Sequence, residues 1–136
     1  MNKDVEVIIK GRQYNQEETL TTKSFGQYYF KDGKHFVTYE EVSEDRDVSK
    51  CLLKFDTVSL EHTKKGDLTV RFLFTKGTKH QTVYNTPFGD FLMGINTKEY
   101  SVKIEEDKIN LHAIYDMEIN DEFASENEII IEVKSI

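Results

Sequence analysis

The sequence predicts an all-β fold: one closed antiparallel up-and-down barrel of about eight to ten strands, built by residues 1–136 as a single domain. Three observations lead there. Nine Phe and seven Tyr stand against one Pro and no Trp, and aromatic side chains favour pleated, half-buried strands. Apolar residues alternate with polar ones from end to end, and no stretch sustains the three-to-four-residue spacing of an amphipathic helix. Short turn signals separate the runs, so the strands must stack as two sheets or close on themselves, and closure removes the edges that aggregate. The chain of 136 residues, 38% hydrophobic and 32% charged, is long and apolar enough to bury one core.

In chain order, Val5, Val7 and Ile9 give the first strand a core face, ending at Gly11 and the polar stretch 13–18. A long second strand follows over 19–30. Asp32-Gly33 is a two-residue hairpin signal, because both residues tolerate positive φ, and it leads into a third strand over 35–42. Charged residues 43–49 form the expected loop. Cys51, Leu53 and Phe55 then alternate, and Val58 and Leu60 continue one register out. This slip predicts one continuous strand bent at Asp56-Thr57. Lys65-Gly66-Asp67 turns the chain into Leu68, Val70, Phe72 and Phe74, and Lys76-Gly77 turns it into 80–86.

Pro87 and Gly89 interrupt the next run, which reads as a barrel corner. Phe91, Met93 and Ile95, then Tyr100, Val102 and Ile104, follow as two runs before the turn at Glu105-Glu106-Asp107. Ile109, Leu111, Ala113, Tyr115, Met117 and Ile119 are the clearest strand of all, at strict two-residue spacing. A polar connection over 120–127 leads to Ile129, Ile131 and Val133.

Charge and chemistry narrow the function classes. A formal net charge of −7 argues against a nucleic-acid partner, which needs a concentrated basic surface. No segment has the length of a membrane span and the first residues lack the apolar stretch of a signal peptide, so a cytoplasmic protein without a membrane partner is expected. A single cysteine fits a reducing compartment. His35, His62, His80 and His112 are scattered over separate strands, so no metal site is predicted and exposed histidines are the plain reading. Cys51 shares a face with Leu53 and Phe55 and reads as core packing. There is neither a phosphate loop nor a nucleophile elbow. No cofactor and no enzyme class is signalled.

Polar residues inside aromatic strands remain. Tyr39 and Glu40 in the third strand, Arg71 between Val70 and Phe72, Tyr84 and Thr86 in one phase of a later strand, and Tyr115 are the candidate ligand-binding residues. If they point inward, their charges and hydroxyls must be paired or must serve a ligand. A barrel of this size either fills with side chains or holds one small molecule. The expected function is therefore non-enzymatic binding of a small, partly apolar molecule in the barrel interior. The alternative is a filled barrel acting as a protein-interaction or scaffolding module through its acidic loops, with protein partner and self-association left open. The plain reading of Arg71 puts it outside or in an ion pair with a strand-three glutamate.

Tyr84-Asn85-Thr86-Pro87-Phe88-Gly89, Met93, Thr97, the run Leu111-His112-Ala113-Ile114-Tyr115-Asp116-Met117 and the closing Asn127-Glu128-Ile129 resemble the C-terminal half of the YwiB-like family of uncharacterised bacterial small β-barrels. Weaker likeness extends to 36–41 and to Gly66 through Gly77. The resemblance implies a lipocalin-like, calycin-type barrel and supplies no catalytic residues. The chain departs from the family at Glu61-His62-Thr63, where the family carries a basic residue.

Overall fold

Ten strands, and no helix among the described residues, make up the computed structural model, which describes residues 1–66 and 69–136. They are β1 (Asp4–Gln13), β2 (Thr19–Lys31), β3 (Lys34–Val42), β4 (Val48–Phe55), β5 (Ser59–Lys65), β6 (Val70–Thr75), β7 (Lys79–Thr86), β8 (Gly89–Ile104), β9 (Lys108–Ile119) and β10 (Glu122–Ser135). All pairings are antiparallel in the order β6-β5-β4-β3-β2-β1-β10-β9-β8-β7. Sequence neighbours pair everywhere except between β6 and β7, and β1 joins β10 with Val7 opposite Val133. The expected turn at Asp67 and strand start at Leu68 fall on residues outside those described.

The barrel is nearly closed. The gap lies between β6 and β7, where the Tyr84 hydroxyl stands in for a ladder. It accepts from the Arg71 amide at 3.1 Å and donates to the Arg71 carbonyl at 3.0 Å. A side chain thus satisfies two backbone groups that an open edge would leave bare.

Alternation explains which face each strand buries. Val5, Val7, Val37, Leu53, Phe55, Leu60, Phe74, Ile109, Leu111, Ile131 and Val133 point inward and are essentially inaccessible to solvent. The Asp32-Gly33 hairpin forms as expected, with φ of 54° and 77°.

Four expectations are corrected. The slip at Asp56-Thr57 is a hairpin turn between two strands rather than a bend in one, because the Asp56 carboxylate accepts from the amides of Val58 at 2.8 Å and Ser59 at 2.9 Å. Residues 120–127 are mostly strand: Asn120 and Asp121 take φ of 52° and 64° in a two-residue turn, and β10 begins at Glu122. The two apolar runs beyond Gly89 are one strand, β8, with a register shift between Thr97 and Glu99 that explains the change of phase. Pro87-Phe88 is the tip of the β7–β8 hairpin rather than a corner, with Thr86 opposite Gly89.

Candidate functional site

Along its axis the lumen divides into two chemically different halves. The half near the 32–33 and 56–58 turns is apolar and crossed by side chains: Phe74 meets Tyr115 edge-on at 4.9 Å, and Tyr100 donates to the Asp56 carbonyl at 2.8 Å. Burial pushes the Tyr100 phenol well above its ordinary range.

The opposite half is polar. Inward positions of β3, β4 and β5 bring together Tyr39, Glu41, Cys51, His62 and Lys64. The Tyr39 hydroxyl and His62 Nε2 share a hydrogen bond of 2.7 Å, Lys64 pairs with Glu41 at 2.5 Å, and the buried Cys51 thiol lies against Tyr39. Burial raises both the phenol and the thiol, so neither is a ready nucleophile.

His62 is the correction to the exposed-histidine expectation. Burial lowers its pKa to about 4, with Glu41 pulling upward and Lys64 downward. An unfolded histidine titrates near 6.5, so from that pH down to about 4 the unfolded chain holds a proton that the folded chain refuses. Stability is therefore expected to fall as pH drops through that window, by on the order of 2 kcal/mol once partial exposure is allowed for. His62→Gln, which cannot titrate, should flatten this part of the profile. Urea unfolding of both proteins from neutral pH downward measures the difference, because carboxylate effects common to both cancel; parallel profiles would refute the assignment.

The six residues singled out from sequence do not converge. Tyr39, Tyr84 and Tyr115 lie on the inward phase, Tyr39 and Tyr84 being 4% and 5% exposed. Glu40 points outward beside Tyr39. Arg71 is outside as well, its Nε 2.9 Å from Glu61 rather than from a strand-three glutamate. The Thr86 hydroxyl donates to the Gly89 carbonyl at 2.6 Å and braces the hairpin tip.

A concavity of about 700 Å³ lies on the outer wall over β2–β5. Its rim carries Phe25 and Tyr29, 73% and 46% exposed, with Leu52, Thr38 and Thr63 along the floor and Glu40, Lys50 and Lys65 at one side. This saddle exists because β2 coils sharply at Gly26: residues Asp4 to Arg12 of β1 pair with β2 from Gln27 back to Thr19, whereas β3 pairs only from Gly26 onward. Beyond Gly26 the two strands part, and Thr22, Lys23 and Ser24 face Glu40, Glu41 and Val42 across a second, smaller cleft.

The model of the family described as Domain of unknown function (DUF1934) matches residues 5–131. The chain belongs to that family. It is 24% identical over 106 residues to the uncharacterized beta-barrel protein YwiB of Bacillus subtilis (strain 168), an alignment spanning 78% of this chain and 74% of the relative. The crystal structure of the ywiB protein from Bacillus subtilis superposes with a TM-score of 0.79 at 19% identity, covering 98% of this chain and 90% of that one. The two share a fold, and the YwiB-like resemblance, read most clearly from the C-terminal half and more weakly at 36–41 and 66–77, is matched by a family model that spans residues 5–131.

In this DUF1934 barrel, two residues that sequence reasoning set aside, Cys51 and His62, belong to the inner polar cluster. Strand phase carried the signal: His62 is two residues from Leu60 and so shares its inward face. Lys50 and Lys65, also unremarked, face one another across the β4–β5 ladder. Their pairing follows by counting outward from Phe55 opposite Leu60, once 56–58 is read as a hairpin turn.

Proposed function

We propose that this barrel is a non-enzymatic binding protein for a small, partly apolar molecule, seated in the outer saddle over β2–β5 instead of in the lumen. The observation that carries the reading is the saddle itself. Its volume falls within the range of small-molecule sites, and its lining combines exposed aromatic rings with a few polar groups. Exposed Phe and Tyr rings at the rim of a concavity lose apolar area to water, which a ligand would recover. The apolar half of the lumen supports the same choice, since Phe55, Phe74 and Tyr100 already occupy it.

Native mass spectrometry on protein purified gently from its own cells tests the proposal. A reproducible extra mass over the denatured chain is expected, and it should vanish in the Phe25→Ala/Tyr29→Ala variant, whose two changes fall on exposed positions. A bare wild-type chain, or an extra mass indifferent to that variant, would overturn it.

The filled apolar half of the lumen also favours a second reading, a barrel serving as a protein-interaction module through its acidic loops. Under it, neutralising Glu44, Asp45 and Asp47 in the 43–47 loop would abolish recovery of a protein partner, and no small mass would be retained.

A further inference from the structure

Resting on the saddle reading, we infer that the saddle's ligand carries an anionic group, held between Lys50 and Lys65. The two lysines are direct cross-strand partners on the outer phase of β4 and β5, both are exposed, and both line the saddle. Like charges placed directly opposite one another destabilise a sheet unless something offsets them. Among the described residues neither lysine makes an ion pair, whereas Lys64, next to Lys65 in sequence but on the inward phase opposite Cys51, is paired to Glu41.

Glu40 is the carboxylate in the lining, and its cross-strand partner on β4 is Lys50. Among the described lining residues it therefore offsets one ammonium and leaves the other unmatched, a local positive surplus on a chain whose formal net charge is −7. Thr38, Thr63 and Gln27 add neutral donors to the same wall. An acidic protein that concentrates two opposed ammonium groups beside an aromatic rim fits a molecule with an apolar ring or chain at one end and a carboxylate, sulfonate or phosphate at the other. A quaternary cation would suit the rings and Glu40 but would meet both lysines.

A matched pair of probes separates this inference from the reading beneath it. 8-Anilinonaphthalene-1-sulfonate and N-phenyl-1-naphthylamine share one aromatic frame and differ in the sulfonate. Titrated into the isotopically labelled protein, the anion is expected to shift the amide resonances of Phe25, Tyr29, Lys50, Leu52 and Lys65. It should bind about tenfold more tightly than the neutral probe, since two exposed ion contacts are individually weak but add. Added salt should erode that preference. Lys50→Gln/Lys65→Gln, at exposed positions, should abolish the preference and leave the neutral probe's affinity unchanged. Equal affinities for the two probes at these resonances, or a preference untouched by the double substitution, would overturn the anionic assignment and leave the saddle standing. If neither probe perturbs the saddle resonances, the saddle reading falls, and the inference with it.

Discussion

Phe74→Ala is expected to cost about 4 kcal/mol of folding stability, the upper part of the range for truncating a buried aromatic ring. Phe74 is 1% exposed and sits on β6 beside the β6–β7 gap, the place where the wall has no ladder of its own. Its ring bridges the lumen to Tyr115 on β9, with centroids 4.9 Å apart, and its centroid lies 6.4 Å from that of Phe72 on its own strand. Removing it deletes contacts to both walls at once, and neighbours held in continuous ladders cannot collapse far into the space. Equilibrium unfolding in urea measures the loss. A second readout bears on function: the truncated lumen should take up benzene or xenon, as dry apolar cavities of that size do, and the parent protein should not. A loss below about 1 kcal/mol, or uptake of benzene by the parent, would show that the lumen is not filled and would return the ligand seat to the interior.

The parts of the fold legible in the sequence are those where burial alone decides the residue. In β1, β9 and β10 every inward position from Val5 to Ile9, from Ile109 to Ile119 and from Ile129 to Val133 is apolar or small, so strict alternation announces both strand and face. Where polar residues turn inward, that signal fails. Tyr39, Glu41, His62 and Lys64 satisfy one another in pairs, and from sequence an inward pair is indistinguishable from an outward one. The slip at Asp56-Thr57 was compatible with a bulge or a turn, and one carboxylate capping two amides decides between them. That single choice shifts everything paired across it, since reading a bend leaves Lys50 and Lys65 far apart on one strand, while reading a turn makes them partners. The saddle lay further out of reach. It depends on where β2 changes partner from β1 to β3, a property of three strands together that no periodicity encodes.

Gly26→Ala tests that hinge of the architecture. A Cβ built at Gly26 would stand 2.3 Å from the Thr38 carbonyl oxygen and 3.0 Å from Tyr39 Cβ. The first distance is far inside any real contact, and the oxygen belongs to the backbone of a paired strand, so it cannot swing aside as a side chain would. The neighbouring register is fixed from both directions, because Gly26 is opposite Val5 on β1 and Tyr39 on β3. The strain must break ladder bonds or spread the strands, and a loss of about 3 kcal/mol, the upper end for overpacking, is expected. For a domain of this size that corresponds to roughly 10 °C in melting temperature by thermal circular dichroism. Gly11→Ala is the matched control: nothing lies within 4 Å of its added Cβ, and a strand alanine there should change stability by less than about 1 kcal/mol in either direction. Gly26, Thr38 and Tyr39 all line the saddle, so Gly26→Ala should lose stability and saddle binding together, whereas Lys50→Gln/Lys65→Gln should lose only the anion preference. Equal melting temperatures for Gly26→Ala and Gly11→Ala would mean that β2 and β3 do not approach so closely, and the saddle would then have no steric origin.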